Sequence, residues 1–251
     1  MSLGIRDFDY DTAARTYDAH RQGRGPYFDT LLSLAQAAPA GPALEVGAGT
    51  GNNSAPFLAE SGRELVALEP SAGMLATGRR KVSDACWARG RIEALPFASG
   101  TFSVVYGTYM LHHLPDLKGA FGECHRCLGK GVAAFVTVSE GFIARHPMNT
   151  YFPSFAKVDL ARFQPIGAVR AALERAGFSR VAAVETQSPP RRVDDGYADK
   201  IAAKFISTYA LLPDDELETG VARLRRDIAA AGGALAQPLV REAVVVYGWK
   251  S

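Results

Sequence analysis

The stretch ALEVGAGTGNNSAPF, residues 43–57, decides the fold of this chain. An apolar run that carries Glu45 breaks into three glycines at alternate positions, Gly47, Gly49 and Gly51, and then resumes as a helical pattern. A strand, a glycine turn and a helix together hold a polar ligand against backbone N–H groups and a helix N-terminus. The stretch therefore predicts a ligand-binding β-turn-α unit.

The composition is that of an ordinary soluble globular protein. The 251 residues are 47% hydrophobic and 22% charged, with a formal net charge of +2, so we expect one domain or one domain with an appendage. There is no Lys/Arg block, no apolar stretch of about 18 residues and no apolar N-terminal leader. We therefore expect no nucleic-acid partner and no membrane, and the three cysteines favour a cytoplasmic location.

Short apolar runs alternate with helical patterns, which indicates an α/β sheet. Most of the runs are apolar on both faces, as parallel strands covered by helices are. Strands are predicted at 43–47, 64–69, 102–107, 132–138, 180–185 and 243–249, with a weaker one at 86–89. Helices are predicted at 52–61, 71–81, 116–128 and 165–176.

Three stretches depart from this alternation. Residues 1–42 predict helices before the first strand, and residues 139–164 read as an irregular, aromatic-rich segment. Residues 186–240 separate the last two strands and predict two helices, at 197–211 and 214–231. Ligands of α/β sheets bind beyond the carboxyl ends of the strands, so segments that emerge there are natural walls and lids.

A second acid, Glu69, ends the next apolar run, 18 residues past Gly51. Its carboxylate is placed to accept hydrogen bonds from both hydroxyls of a ribose. The G-x-G-x-G spacing differs from the dinucleotide fingerprint, because Asn52 stands where that fingerprint has its third glycine. Glu45, two residues before the first glycine, suits a cationic ligand better than a pyrophosphate.

Five motifs follow one another along the chain. They are ALEVGAGTG, VALEPSAGML, RIEALPFASGTFSVV, YMLHHLPD and the pair GKGVAAFVTV…ERAGFSRV. In this order, from about Phe8 to Val184, the sequence resembles class I S-adenosylmethionine-dependent methyltransferases. The nearest branch contains the ubiquinone/menaquinone C-methyltransferases and the biotin-pathway carboxyl O-methyltransferases.

The resemblance implies a Rossmann-like α/β fold with a seven-stranded, mostly parallel sheet, its last strand antiparallel, flanked by helices. It implies S-adenosylmethionine as cofactor, S-adenosylhomocysteine as product, a small-molecule acceptor and no metal. The protein is expected to be a monomer or a homodimer. The domain limits we expect are an N-terminal helical lid at 1–42, a cofactor-binding core at 43–185, a helical cap at 186–240 and the last core strand at 241–251.

The resemblance also implies which residues bind the cofactor. The glycine turn is expected to line its methionine part, with Glu45 near the ammonium group and Glu69 on the ribose diol. The segment AARTYDAHR, residues 13–21, supplies a tyrosine and an arginine for the cofactor carboxylate. The full expected set is Tyr17, Arg21, Glu45, Gly47, Ala48, Gly49, Gly51, Glu69, Pro70, Ser71, Met74, Ile92, Glu93, Tyr106 and Gly107.

The sequence departs from the family pattern at two positions. Arg91 stands where the family usually has an Asp that accepts from the adenine amino group, and arginine has donors only. The backbone of Ile92 or a shifted Glu93 then remains to contact the adenine. Ser103 stands where an Asp is commoner, and we interpret that acid as mostly structural.

Three residues after the fourth predicted strand are candidates for catalysis: Tyr109, His112 and His113. A histidine here is suited to remove a proton from the acceptor, or it has a structural role. Downstream, Cys124 and Cys127 form a C-x-x-C in ECHRC. With no second such pair, packing in a helix is the expected role and a metal site is not.

Two other functions stay open at this point, and so does the atom that receives the methyl group. The first alternative is a non-catalytic S-adenosylmethionine-binding regulatory protein, and the second is a nicotinamide-dependent oxidoreductase. The acceptor pocket is expected from segments 1–28, 106–113, 139–164 and 186–240, whose aromatic residues favour a hydrophobic or planar acceptor. His146, Arg191 and Arg192 either meet an acidic group on that acceptor or face solvent.

Overall fold

The computed structural model describes residues 10–13, 17–19 and 23–251. Seven strands form one sheet: β1 (Ala43–Val46), β2 (Leu65–Glu69), β3 (Cys86–Arg89), β4 (Phe102–Thr108), β5 (Leu128–Thr137), β6 (Ser179–Gln187) and β7 (Glu242–Lys250). The sheet order is β3-β2-β1-β4-β5-β7-β6. Strands β1 to β5 pair in parallel, and β7 runs antiparallel to β5. The predicted fold class, including the antiparallel last strand, is confirmed.

The described helices are α1 (Tyr10–Ala13), α2 (Phe28–Ala37), α3 (Ser54–Ser61), α4 (Ala72–Lys81), α5 (Leu117–Cys127), α6 (Glu140–Arg145), α7 (Phe155–Leu160), α8 (Ile166–Arg175), α9 (Asp195–Ala202), α10 (Ser207–Ala210) and α11 (Asp214–Ala230). Three 3₁₀ turns lie at Tyr17–Ala19, Leu111–His113 and Pro147–Thr150. Among the described residues, no helix is long and apolar enough to cross a bilayer.

The chain folds as two compact units. The α/β unit comprises Tyr10–Ser139, Phe163–Thr186 and Glu242–Ser251. The helical unit comprises, among the described residues, Glu140–Arg162 and Gln187–Arg241. The domain limits expected from the sequence stay a prediction; the compact units differ from them chiefly at 140–162, which groups with the helical unit.

The core of the α/β unit lies on both faces of the sheet. Because successive residues of a strand point to opposite faces, Leu44 and Val46 belong to one buried cluster and Ala43 belongs to the other. Helices α5 and α8 cover the first face, and α2 and α3 cover the second. All four residues of β1 are buried, which explains its continuous apolar reading.

The helical unit has a core of its own. Apolar side chains of α7, α9 and α11 pack with those of the neighbouring loops. A buried ion pair joins Arg162 to Asp159 at 2.7 Å, and the Thr208 hydroxyl donates to the same carboxylate at 2.9 Å. Such a pair is tolerated because both carboxylate oxygens of Asp159 accept hydrogen bonds.

Two predictions within the helical unit are wrong. The single helix expected at 197–211 is two helices, α9 and α10. Helix α9 starts after Asp194, whose side chain accepts from the Tyr197 amide, and the chain turns at Lys204, which has a φ of 53°. Segment 139–164, expected to be irregular, contains α6, α7 and a 3₁₀ turn.

Arg63 ties together the edge of the α/β unit opposite the ligand-binding strand ends. Its guanidinium donates at 2.7–2.9 Å to the carbonyls of four residues that end α2 or follow it, Ala35, Ala38, Pro39 and Gly41. It also donates to Ser103 Oγ at 2.8 Å. Ser103 is thus an acceptor for Arg63, which gives this departure from the family pattern a structural role.

We expect Arg63→Ala to lower the free energy of unfolding by about 2 kcal/mol, because several carbonyls lose a charged donor. Arg63→Lys should recover only part of the lost stability, because lysine keeps the charge but lacks the planar fork of donors. Urea denaturation measures both. Arg79→Ala on α4 is the control and should change stability by less than about 0.5 kcal/mol; an equal loss in both variants would contradict the role of Arg63.

Candidate functional site

The glycine turn after β1 has a left-handed backbone at each of its glycines. The φ angles of Gly47, Gly49 and Gly51 are 68°, 57° and 79°. A Cβ at Gly47 would lie 3.1 Å from Met110 Cβ, and one at Gly51 would lie 2.9 Å from Val82 Cγ2. A Cβ at Gly49 would meet no atom within 4 Å. Protein packing thus excludes side chains at two positions, and the space over Gly49 is open to a ligand.

The amide groups of this turn donate within the protein. The N–H groups of Gly47 and Ala48 donate to the carbonyl of Leu68 at 2.9 and 3.1 Å. The Gly49 amide donates to Glu69 Oε2 at 2.8 Å. A turn that binds pyrophosphate presents such amides to the ligand. These three are committed to β2, so the turn is not built for a phosphate.

Glu69 is fixed at the tip of β2. Only 6% of the residue is exposed, and its Oε1 accepts from the Ser71 amide at 2.9 Å while Oε2 holds Gly49. Burial raises the pKa of this carboxyl, and the two amide bonds oppose the shift. Each carboxylate oxygen has two acceptor sites, so a second acceptor site remains on each for the two hydroxyls of a diol.

Glu45 is a second buried carboxyl, on β1 beneath the turn. Its Oε2 accepts from Ser54 Oγ at 2.5 Å and from the Tyr106 hydroxyl at 3.0 Å. Its Oε1 is buried and has no hydrogen-bond partner among the described residues. Burial first, and the nearby Glu69 charge in addition, raise its pKa to about 7. A cation beside these two acids would lower both pKa values.

Asp18 attaches the N-terminal part of the chain to the turn, a role that the sequence did not reveal. Its carboxylate accepts from Thr50 Oγ1 at 2.5 Å, from Asn52 Nδ2 at 2.8 Å and from Lys81 Nζ at 2.9 Å. Burial disfavours its charge, but the three hydrogen bonds outweigh this and lower its pKa. The neighbouring Tyr17, an expected cofactor residue, is half-buried, and the expected Arg21 lies outside the described residues.

Asp11 makes a similar attachment at the start of α4. Its Oδ1 accepts from Ser71 Oγ at 2.5 Å and from the Gly73 amide at 2.8 Å. These bonds lower its pKa. Ser71 is also the N-cap of α4, since its Oγ accepts from the Met74 amide. The sequence contains no spacing signal that would have paired residues 11 and 71.

The expected adenine-side residues have mixed exposure. Met74 and Ile92 are buried, at 1% and 4% exposure, and Pro70 is exposed. The Arg91 side chain is largely exposed and forms an ion pair with Glu93 at 3.7 Å. Arg91 thus holds the acid that was expected to substitute for the missing Asp.

Tyr106 and Gly107, the two expected cofactor-binding residues near the end of β4, have different surroundings. Tyr106 is fully buried, and its ring packs on Phe57 at a centroid distance of 4.4 Å. Its hydroxyl holds Glu45, so its side chain supports the site from inside. A Cβ at Gly107 would lie 3.0 Å from the Val46 carbonyl oxygen, which leaves no room for a side chain.

The three catalytic candidates lie directly after β4 and have different partners. His112 stacks on Phe163 with a centroid distance of 4.3 Å and an interplanar angle of 24°. His113 is exposed, and its Nε2 lies 2.8 Å from the hydroxyl of Tyr10 on α1. Tyr109 has a φ of 51° and packs edge-on against Tyr27 at 5.5 Å.

Other candidates from the sequence lie outside this group. Cys124 and Cys127 lie on the buried face of α5 and belong to the core, as expected for packing thiols. His146, in the helical unit, has its pKa lowered to about 4 by burial. Burial thus disfavours its charged form, which argues against the first of its two open roles, contact with an acidic group of the acceptor. Arg191 and Arg192 are exposed.

Comparison with known proteins agrees with this geometry. Residues 44–136 match the family described as "Methyltransferase domain". A demethylmenaquinone methyltransferase of Renibacterium salmoninarum is 38% identical over 101 residues, 40% of this chain and 42% of that protein. A malonyl-[acyl-carrier protein] O-methyltransferase of Pectobacterium atrosepticum is 31% identical over 136 residues, 54% of this chain and 53% of that protein. The chain thus spans about half the length of the curated relatives it matches.

Solved structures share the fold at low identity. A methyltransferase attributed to an antibiotic biosynthesis pathway of Anabaena variabilis superimposes with a TM-score of 0.68 at 22% identity, covering 88% of this chain and 95% of the other. Phosphoethanolamine N-methyltransferase 2 of Haemonchus contortus, crystallised with S-adenosyl-L-methionine, gives 0.60 at 14% identity, covering 99% of this chain and 60% of the other. The sequence match over residues 44–136 confirms the predicted similarity to methyltransferases, and the solved structures confirm the fold. The activity and the cofactor of the whole chain stay predictions.

The raised pKa of Glu45 predicts a pH-dependent stability. Its folded-state pKa of about 7 exceeds its unfolded value, so the folded state binds the proton more tightly and loses stability as pH rises from about 4.5 to 7. Glu45→Gln removes this loss. The stability of the variant relative to wild type should therefore increase by about 2 to 3 kcal/mol between pH 5 and pH 8.

Urea denaturation of the ligand-free proteins at both pH values measures this difference. Glu64→Gln, an exposed acid just before β2, is the control and should show no such change. A pH-independent difference between Glu45→Gln and wild type would contradict the raised pKa.

Proposed function

We propose that the whole chain transfers a methyl group from S-adenosylmethionine to a small, hydrophobic or planar acceptor. The observation that carries this proposal is the pair of buried carboxyls, Glu45 and Glu69, beside the open face of Gly49. Burial raises the pKa values of both, and the charge of Glu69 adds to the cost of ionising Glu45. A ligand with a positive charge and a vicinal diol lowers the cost of ionising both carboxyls at once.

The cofactor, when bound, supplies a methyl group on a positively charged sulfur, which is a strong leaving group. The chain's own residues then have three tasks: to hold donor and acceptor in line, to exclude water and to receive any proton that the acceptor loses. Glu69 is suited to hold the ribose diol, and the unpartnered Oε1 of Glu45 is suited to face positive charge. The turn at Gly49 leaves the space that such a ligand needs.

The nicotinamide alternative conflicts with the same geometry. A dinucleotide carries two negative charges on its pyrophosphate, which would lie beside Glu45 and Glu69. The amides of Gly47, Ala48 and Gly49 donate to Leu68 and Glu69 and do not compensate that charge. These contacts favour a cationic cofactor over a dinucleotide.

Proton removal is assigned in this proposal to His113, with Tyr10 as its partner. The two side chains are 2.8 Å apart at the end of β4, and their rings meet edge to face at 5.2 Å. In this proposal the Nε2–H of His113 donates to the Tyr10 hydroxyl oxygen, which fixes the ring orientation and the tautomer in which Nδ1 is the basic nitrogen. His112 is instead committed to its stack on Phe163. The pair of His113 and Tyr10 also favours a catalytic role of the protein over a purely regulatory one.

The acceptor is expected to be planar or hydrophobic, because the rim of the α/β unit near the end of β4 carries Tyr10 and the exposed Tyr109. The names of the two relatives indicate a quinone ring in one case and a carrier-protein-linked carboxyl in the other. The aromatic rim favours the ring. Incubation with S-adenosylmethionine and a panel of hydroxyarenes, quinols, amines and carboxylic thioesters, followed by mass spectrometry, tests this choice.

Binding of S-adenosylhomocysteine should depend strongly on Glu69. We expect Glu69→Gln to weaken the affinity about tenfold or more, because one of two charge-assisted hydrogen bonds is lost and its amide group opposes a backbone N–H. Glu64→Gln, an exposed acid just before the opposite end of β2, is the matched control. Isothermal titration calorimetry measures both. Unchanged affinity in Glu69→Gln, or stabilisation by NAD and not by S-adenosylhomocysteine, would contradict the proposal.

Turnover should depend on His113 more than on His112. With any acceptor found in the panel, His113→Asn should lower kcat about 100-fold and leave the affinity for S-adenosylhomocysteine unchanged. His112→Phe keeps the stack on Phe163 and should retain kcat within about threefold. Steady-state kinetics decide: similar losses in the two variants would show that His113 is not the base.

A further inference from the structure

Tyr109 has a backbone conformation that its side chain disfavours. Its φ of 51° lies in the left-handed region, where a tyrosine is strained and a glycine is not. Its amide is bonded to the Val136 carbonyl on β5 at 2.9 Å, so the strained conformation is held in place. Strain of this kind persists where the surrounding structure enforces it, often at functional sites.

The side chain of Tyr109 is positioned by a chain of polar and aromatic contacts. The Tyr27 ring meets Tyr109 edge to face at 5.5 Å with an interplanar angle of 79°. The Tyr27 hydroxyl donates to Asn53 Oδ1 at 2.8 Å, and Asn53 Nδ2 donates to Thr108 Oγ1 at 2.8 Å. Thr108 precedes Tyr109, so the chain of contacts closes on itself and holds the ring.

Asn53 is used unusually in this arrangement. It is the N-cap residue of α3, a position where asparagine normally accepts from a helix amide, yet its side chain makes no capping bond. It bonds instead to Tyr27 and Thr108. Helix α3 therefore lacks a side-chain cap, and Asn53 instead fixes the position of Tyr27 against Tyr109.

Among the residues that the structure describes, this ring is one of three large apolar side chains that are exposed, with Leu160 and Val184. Tyr109 is 36% exposed, whereas Tyr27 is 3% exposed. It lies next to Met110, whose side chain packs against Gly47 of the glycine turn. An exposed, rigid aromatic face beside the cofactor turn is suited to a flat ligand, because aromatic rings stack in offset or edge-to-face geometry.

We propose that Tyr109 is a specificity-determining platform for the face of a planar aromatic acceptor, and that Asn53 is its positioning residue. This inference rests on the proposed methyl transfer and deepens it by assigning the acceptor class. An ammonium ion would also bind a tyrosine face, but an amine must lose its proton before it attacks the methyl group. A platform that favours the protonated form would hold an acceptor that cannot react.

The test compares two probes that share one carbon skeleton, the planar aromatic 2-naphthol and the puckered, saturated decahydro-2-naphthol. Binding to the protein saturated with S-adenosylhomocysteine is measured by calorimetry. Wild type should bind 2-naphthol more tightly than its saturated analogue, and Tyr109→Phe should keep this preference. Tyr109→Ala and Tyr109→Gly should bind 2-naphthol about three- to tenfold more weakly, with the affinity for decahydro-2-naphthol unchanged within twofold.

The alanine and glycine variants separate strain from recognition. Both lack the ring, but glycine relieves the backbone strain, so Tyr109→Gly should melt at a higher temperature than Tyr109→Ala while binding 2-naphthol equally weakly. Asn53→Ala keeps the ring and should still lose part of the preference for 2-naphthol, with Thr108→Val behaving alike. S-adenosylhomocysteine affinity should stay within twofold of wild type in every variant.

Several outcomes would overturn the inference. They are absence of 2-naphthol binding by wild type, equal affinity of wild type for the two probes, or full 2-naphthol affinity in Tyr109→Gly. Preference for a naphthylammonium ion over 2-naphthol would assign the platform to cations instead. If S-adenosylhomocysteine itself does not bind wild type, the proposed function fails; the platform is still tested by the two probes on the ligand-free protein.

Discussion

The hydrogen bond from the Gly49 amide to Glu69 is the interaction on which the site depends. It joins the turn after β1 to the tip of β2 at 2.8 Å, so one contact places both the most open position of the turn and the acid that we propose for the ribose. Because Glu69 is buried, its charge acts across little solvent and raises the cost of ionising Glu45 below it. The parallel pairing of β1 and β2 brings the two carboxyls to the same edge of the sheet.

Much of this arrangement was predictable from the residues. The strands that are apolar on both faces, such as β1 and β2, were located to within a residue, because burial between two helical layers imposes that composition. The glycine spacing and the two acids were also predictable, since they are local in sequence or follow from strand order. Strand β5 was harder: it begins at Leu128, through LGKG, where Gly131 approaches the Ser103 carbonyl too closely for a Cβ. No apolar pattern indicates such a start.

What the sequence did not indicate are contacts between residues far apart in the chain. Asp11, Asp18, Arg63 and Asn53 are polar residues in ordinary surroundings, and nothing local distinguishes them from exposed ones. Their partners lie 20 or more residues away, so only the folded chain brings each pair together. The expected roles of Met74 and Glu93 stay predictions, although the structure gives Met74 a buried position and Glu93 an ion-pair partner.

The attachment at Asp18 has a consequence for how a ligand is exchanged. Asp18 and Lys81 are each about one-third exposed, and the bonds of Asp18 to Thr50, Asn52 and Lys81 are all polar. Water replaces bonds of this kind at small cost, and salt weakens the ion pair. Breaking these bonds of Asp18 removes no apolar side chain from the core of the sheet. We therefore expect opening at Asp18 to be a local event that responds to ionic strength and that the global unfolding transition does not report.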